Sequence, residues 1–321
     1  MGLAFRPAEP RDRASILSLF RVAFREEPDP AGWEWKYDRN PRRAVSCVAD
    51  DGGRIVGFFG AMATRYRGAG RDLPGAASGD IMTDPATRAL GKGVVFKALG
   101  DAYRDRNAEL GIPFDFGFPH ERSGQVVVRL LSYVKLDPCG ESGRPLGAPP
   151  LVGRLRRRFL RLREGVPSGR TWDAFAEALH SRPGLVTDRS ADVVAWRLSR
   201  PGRSYRAFRL LDLRGRCRGF AVTTRRDGRT LLLDLQVVDE RGPELADLLA
   251  ALADALPGAP DERIVLRAPP NGLLSRRLRE ELGFLPEPSD TALYVRAVLP
   301  GVDPAAEGER LDYRFWDHDV F

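Results

Sequence analysis

The sequence predicts an α/β protein built as two units. Three observations carry that expectation: a strand, glycine-rich turn and helix between Gly79 and Leu99, strand-like and helical runs on both sides of it, and a second half that echoes the first. At 321 residues the chain is long enough for two domains, each with its own core.

The elements follow in order. Phe5-Arg6-Pro7 reads as a short strand, and Ile16, Leu17, Leu19, Phe20, Ala23 and Phe24 mark an amphipathic helix. The cluster from Trp33 to Pro41 is aromatic and charged. It reads either as a helix end packed on a sheet or as a substrate wall, with Trp33, Trp35 and Tyr37 as stacking surfaces for a base or sugar. Ala44 to Ala49 and Arg54 to Ala63 are strand-like and joined by Asp51-Gly52-Gly53, a hairpin signal. Arg65 to Pro74 is polar and reads as a loop before the central strand. From Val94 an apolar stripe runs at helical spacing through Val95, Leu99, Ala102, Tyr103 and Leu110, ended by Gly111 as a left-handed cap. Phe114, Phe116 and Phe118 alternate with Asp115 and Gly117 as a strand buried on one face. Pro119-His120-Glu121-Arg122 then turns into a short helix with Val126, Val127, Leu130 and Leu131, and Tyr133 to Leu136 closes the unit. The Pro- and Gly-rich stretch from Pro138 to Pro150 reads as a linker, and Arg154 to Arg163 as a basic helix. The expected organisation is a first domain over 1–138, a linker with the basic helix over 139–170, and a second domain over 171–321.

The echo runs through both halves. Trp35-Lys36-Tyr37 with Pro41 matches Trp196-Arg197-Leu198 with Pro201; Gly57-Phe58 matches Gly219-Phe220; Asp80 matches Asp234; Ser132-Tyr133 matches Gly283-Phe284. Leu231 to Leu235 is thus a second central strand, Leu245, Leu248, Leu249 and Leu252 its helix, Ile264 to Leu266 the next strand, and Leu274 to Leu282 the last helix.

The turn carries Arg88-x-x-Gly91-x-Gly93. The first N–H groups of a helix lack internal partners and the helix dipole adds positive charge there, so a turn without Cβ atoms lets those donors close on a phosphate. Arg88 and Lys92 add counter-charge. A looser copy at Arg216-Cys217-Arg218-Gly219-Phe220-Ala221 runs into an apolar strand with no helix behind it, so context separates the two. In the second half the corresponding turn, Asp239-Glu240-Arg241-Gly242-Pro243-Glu244, has lost the glycine spacing and gained carboxylates that repel a pyrophosphate.

Composition sets the remaining bounds. The net charge of +7 and isoelectric point near 9.6 favour anionic ligands, with a nucleotide or CoA served as well as nucleic acid. Cys47, Cys139 and Cys217 are widely spaced, without CxxC or a histidine cluster, which argues against a disulfide framework and against zinc, and fits a reducing cytoplasm. The expectation is a protein with no membrane segment, and nucleic acid is not required as a partner.

In its strand–turn–helix context, Arg88-x-x-Gly91-x-Gly93, entered by Thr83-Asp84-Pro85, resembles the acyl-CoA-binding motif of the GNAT superfamily of N-acyltransferases. Both halves together resemble tandem-GNAT proteins, a group that includes mycothiol synthases and some sugar N-acyltransferases. The ending Phe315-Trp316-Asp317-His318-Asp319 also looks like the tail of tandem-GNAT proteins found with bacterial polysaccharide genes. The resemblance implies an α/β fold of the mixed-sheet kind: two tandem GNAT-like domains, each a mixed twisted sheet flanked by helices. Each sheet would splay between its fourth and fifth strands, here Ile81 to Thr83 and Phe114 to Phe118.

The same resemblance implies acetyl-CoA or another acyl-CoA as cofactor and a small-molecule primary amine, such as an amino sugar or nucleotide-linked amino sugar, as acceptor. Cofactor contacts would come from Ile81, Met82, Thr83, Arg88, Ala89, Leu90, Gly91, Lys92, Gly93, Val94, His120 and Ser123. A backbone N–H near Met82 or Thr83 would stabilise the oxyanion of direct amine attack. For proton transfer the candidates are His120 at the end of the fifth strand, Tyr133 after the following helix and Asp80 on the central strand. Each has a plainer reading: GNAT relatives often place Asn at the His120 position as a pantetheine contact, Tyr133 packs in a core, and Asp80 shares a structural role with Asp234. Two other classes stay open, a CoA-binding scaffold without catalysis and a Fem-like aminoacyl-tRNA-dependent transferase that would use the basic helix.

Overall fold

The computed structural model describes residues 2–90, 93–147, 159–256, 258 and 262–317. The chain divides into two compact units that are discontinuous in sequence. Unit 1 comprises residues 1–66, 72–136 and 291–308; unit 2 comprises 67–71, 137–290 and 309–321. The expected cuts at 138 and 170 therefore give way to an exchange: a segment near the C-terminus joins unit 1, and the stretch read as a linker joins unit 2.

In unit 1, β1 (Ala4–Pro7) leads through α1 (Arg13–Phe24), α2 (Pro30–Trp33) and a π-helical turn (Glu34–Asp38) to β2 (Ala44–Asp51), β3 (Arg54–Gly68) and β4 (Arg71–Thr83). Arg65 to Pro74 is thus no loop. Tyr66 is fully buried, its hydroxyl donating to the carbonyls of Ala76 or Phe114, and the hairpin turns at Ala69 and Gly70, both at positive φ. After β4 come α3 (Val94–Glu109), β5 (Phe114–Gly117), α4 (Glu121–Leu131) and β6 (Val134–Pro138).

Unit 2 repeats the plan. Its elements are β7 (Gly140–Pro145), β8 (Leu160–Glu164), α5 (Arg170–His180), the two-residue β9 (Val186–Thr187), α6 (Ala191–Leu198), β10 (Arg206–Asp212), β11 (Cys217–Arg226), β12 (Arg229–Val237), α7 (Glu244–Ala255), β13 (Arg263–Ala268), α8 (Leu273–Glu280) and β14 (Leu285–Glu287). The chain ends through β15 (Ala292–Ala297), α9 (Pro304–Arg310) and a 3-10 turn, Phe315–Asp317. Two expectations are corrected here. The Gly- and Pro-rich stretch holds a strand, β7, and Leu160 to Arg163 is a strand because Leu160 and Leu162 alternate with arginines and pair with β10. Residues 154–158 of the expected basic helix lie outside the described residues.

The main strand orders are β1-β2-β3-β4-β5-β15-β6 in the first sheet and β14-β7-β13-β12-β11-β10-β8 in the second. Read from opposite ends, these are one pattern, in which β7 and β15 each complete the sheet of the other half. Both sheets are mixed: β4–β5 and β12–β13 are parallel, while β1–β2, β2–β3, β10–β11 and β11–β12 are antiparallel.

Buried ion pairs fix the exchanged strands. Arg296 on β15, fully enclosed, forks onto the Asp115 carboxylate of β5 at 2.8 and 3.1 Å and donates to the Gly100 carbonyl. Burial works against the charge of Arg296, and Asp115 outweighs it, so its acidity falls further below the ordinary guanidinium range. On β7, Glu141 takes Arg267 of β13 at 2.7 Å, and Arg144 donates to the Leu282 carbonyl. Apolar cores lie on the sheet faces: Phe59, Leu99, Tyr103 and Leu131 in unit 1, and Leu232, Leu248, Leu266 and Phe284 in unit 2. Among the described residues no helix is long and apolar enough to cross a membrane.

Candidate active site

The site of unit 1 is made by strands that part. β4 and β5 pair only from Ala76 to Ser78 against Asp115 to Gly117. Beyond that last rung β5 ends, and Ser78 to Ile81 are half-exposed in a strand that is otherwise central. Two residues past the rung, Asp80 sits at a φ of +49°, a left-handed conformation costing a non-glycine residue about 1–2 kcal/mol. The turn puts its carboxylate toward the helical segment that precedes β2. There the π-helical turn presents Lys36 and Tyr37 in succession. Lys36 Nζ lies 2.6 Å and the Tyr37 hydroxyl 2.7 Å from the same oxygen, Asp80 Oδ2. Oδ1 makes no hydrogen bond to a described residue, and the side chain is 24% exposed. Gly60 on β3 is what admits the phenol, because a Cβ there would collide with the Tyr37 hydroxyl.

His120 lies three residues past the same rung on the β5 side, exposed, at the N-cap of α4. Ser123, in the first turn of that helix, is exposed too. Met82 is buried against α1, whereas Ile81 and Thr83 are half-buried. Asp84 then ends the strand: its carboxylate pairs with Arg54 and accepts the Ala86 N–H at 2.8 Å. Pro85–Leu90 forms a 3-10 turn to which Arg88, Ala89 and Leu90 contribute backbone. The side chains of those three residues, and Gly91 and Lys92 entirely, lie outside the described residues. Gly93 caps α3 at a φ of +87°, where a Cβ would also meet Leu130 at 2.7 Å, so the tight entry requires glycine. Val94, the first helical residue, is 61% exposed, which leaves the helix start open to solvent. An open helix N-terminus beside a parted strand pair fits a phosphate-bearing cofactor with an extended arm.

Tyr133 stands elsewhere. It is enclosed and donates to Asp115, in a cluster with Ser78, Tyr103 and Arg296. Burial pushes its phenol well above the ordinary range, opposed by Arg296, so it keeps its proton. Trp35 and Tyr37 are also buried, and Trp33 is half-buried with its ring 4.3 Å from Tyr37 and 5.1 Å from Phe58. These rings brace the strand face beneath Asp80, so the stacking surface expected of all three is reduced to the exposed part of Trp33. The sequence reading passed over Lys36. A charge between two aromatics, in a segment whose echo carries Arg197 at the same place, was the available signal.

Unit 2 has the same parting, filled by its own chain. β12 and β13 pair from Thr230 to Leu232 against Ile264 to Leu266, and Asp234 again lies two residues past the last rung. Here the carboxylate is sealed, taking Arg189 Nε at 2.7 Å and Gln236 Nε2 at 2.8 Å. The Phe315–Asp317 turn lies against β12 and β13, with Phe315 under the Arg267 guanidinium at 4.5 Å and Asp317 bound to Arg189, Thr187 and the Arg314 N–H. The turn before α7 is closed as well: Glu240 is held by Arg182 and Arg314, and Arg277 caps the Glu240 and Gly242 carbonyls.

No curated protein sequence matches this chain. Among solved structures it is similar to a probable N-acyltransferase from Enterococcus faecalis V583, at 13% identity and a TM-score of 0.70, covering 93% of this chain and 73% of that one. A GCN5-related N-acetyltransferase from Anabaena variabilis is similar at 15% identity and a TM-score of 0.70, with the same shares. A tandem GNAT protein from the clavulanic acid biosynthesis pathway is similar at 16% identity and a TM-score of 0.57, over 94% of this chain and all of that one. Residues 4–125, which hold the parted strands, Asp80 and the α3 entry, match the family described as acetyltransferase (GNAT) domain, and the chain has the fold of a tandem GNAT protein.

Proposed function

We propose that the protein is an acyl-CoA-dependent N-acyltransferase with one cofactor site, in unit 1, acting on the primary amine of a small molecule. The observation that supports this best is the half-exposed stretch Ser78 to Ile81, where β5 leaves β4 and Asp80 keeps Oδ1 available. When bound, acyl-CoA supplies an acyl group already activated as a thioester. The open start of α3, with Arg88 and Lys92 as counter-charge, would hold its phosphates. Asp80 Oδ1 receives the acceptor ammonium and takes its proton, while Lys36 and Tyr37 keep Oδ2 in place. Backbone N–H groups near Met82 and Thr83 would face the thioester carbonyl oxygen, and His120, exposed at the α4 cap, would give a proton to the departing CoA thiol.

For the acceptor, the reading is an amino sugar or nucleotide-linked amino sugar. Its supports are the resemblance of the C-terminal segment and the excess of arginine, whose planar fork suits phosphate oxygens. A thioester-release assay over nucleotide amino sugars, aminoglycosides, polyamines and lysine peptides tests it. Turnover should be fastest with the amino sugars; preference for polyamines or peptides overturns the acceptor assignment, and no release with any amine overturns the transferase.

A further inference from the structure

Unit 2 also has a cavity of about 310 Å³ at the end of its sheet where β11 turns into β12. Four arginines, Arg203, Arg206, Arg225 and Arg226, line it together with hydroxyl side chains, and its described lining contains no carboxylate. Strand register gathers part of this wall on one face. Arg206 on β10 pairs with Thr223 on β11, and Arg225, two residues on, pairs with Thr230 on β12, so these four side chains share a face of the sheet. Arg206 and Arg225 are diagonal neighbours across adjacent strands, about 7–8 Å apart at the backbone, a spacing that long side chains close.

Both guanidiniums are held from behind. Glu164 takes Arg206 Nε at 2.8 Å and Nη2 at 2.7 Å; Glu262 takes Arg225 Nε at 3.1 Å and Nη2 at 2.5 Å. Thr230 donates to Glu262 as well, at 2.8 Å, which fixes that carboxylate. In each case Nη1, with its two N–H groups, is bound to no described residue. Arg206 is 36% and Arg225 60% exposed, so each carboxylate biases its guanidinium toward one orientation and leaves the other edge turned to solvent as a pair of donors. Arg203 and Arg226 also line it, Arg226 lying 3.6 Å from the Asp227 carboxylate. A carbonyl or neutral ligand would leave most of these donors unanswered, whereas a tetrahedral oxyanion answers them from several sides.

We propose that this cavity binds the phosphate group of a small molecule, with Arg206 and Arg225 as its paired forks. The site is separate from the acyl-CoA site and does not depend on the transferase reading. Calorimetric titration of the full chain, already saturated with CoA, against inorganic phosphate, pyrophosphate and glycerol phosphate tests it and separates free from esterified phosphate as the source. Saturable binding is expected, weakened about tenfold or more by Arg206→Gln with Arg225→Gln, and also weakened by the charge-keeping Arg206→Lys, which loses the fork. Absence of saturation with all three probes, or binding indifferent to both arginine variants, overturns the proposal; circular dichroism of each variant identifies a fold defect, in which case Arg206→Lys decides.

Discussion

Asp80 and Asp234 occupy the same place in the two sheets, two residues beyond the last rung of a parallel ladder, and each accepts from a cationic side chain, Lys36 before β2 and Arg189 before β10. One is 24% exposed and the other wholly enclosed. The difference lies in what fills the parting. In unit 2, Arg189, Asp317 and Phe315 come from the chain itself, so the cation, the anion and the apolar surface that a ligand would bring are already present. In unit 1 Ser78 to Ile81 are half-exposed at that point, and Asp80 Oδ1 is bound to none of the described residues. The two halves therefore keep the acid at one place but pair it with cations from different positions: Arg189 closes the sheet over Asp234, while Lys36 holds one oxygen of a partly exposed Asp80.

That contrast can be broken at several points. The largest effect is expected on the phosphate turn. Gly91→Asp should abolish CoA binding and Gly242→Asp should leave affinity nearly unchanged, with one CoA per chain by calorimetry; two sites per chain would show that unit 2 is open after all. Next, Arg189→Met leaves Asp234 and Asp317 buried without their cation and should destabilise the fold by about 3–5 kcal/mol in denaturant unfolding, while CoA affinity of the folded fraction persists. If it costs no stability, the unit 2 network is not what holds the parting shut.

Asp80→Asn keeps the shape and removes the base. Turnover should fall about a hundredfold with CoA affinity retained, at a stability loss smaller than that of Arg189→Met because Asp80 is partly open to water. A large stability loss with normal turnover would make Asp80 the structural twin of Asp234. Acid unfolding sharpens the comparison further. Burial opposes the charge of Asp317, but Arg189 and Thr187 outweigh it and hold its carboxyl below the ordinary value of 3.8. A depressed folded-state value gives stability that is present above 3.8 and lost as pH falls further, so Asp317→Asn should flatten the acid limb of a stability–pH curve. The smallest effect is expected from Tyr37→Phe, which removes one of two donors to Asp80 Oδ2. Turnover should drop about tenfold, with a changed pH–rate profile that a purely structural role would not produce.

Much of the architecture could be read from local pattern. The stripe from Val95 to Tyr103, the phenylalanines of β5 and the leucines of α7 each repeat at the period of their element, because one face of each is buried. The weak echo between halves also corresponds to real structure, with Asp80 and Asp234 at matching rungs. The errors share a cause. Leu160 and Leu162 fit either a helical or an alternating reading when taken with Leu155 and Phe159, and pairing with β10 decided for the strand. Gly140 to Pro145 looks like a linker because its glycines are needed where neighbours press close: a Cβ on Gly140 would meet the Ala268 carbonyl oxygen at 2.9 Å. Composition that signals a loop in isolation here marks a strand gripped on both edges.

By itself, the sequence determined most of the element types, the duplication, and the presence of one glycine-spaced turn and one acidic counterpart. These depend on residue spacing along the chain, which local sterics and burial read directly. Only the tertiary structure decided that β7 and β15 trade sheets, that Lys36 and Tyr37 meet Asp80 across more than forty residues of sequence, and that the Phe315–Asp317 turn fills the second parting. Each of those results from pairing between distant backbone edges or buried charges. Their free energy depends on which partners exclude water together, and no periodicity along the chain records that choice.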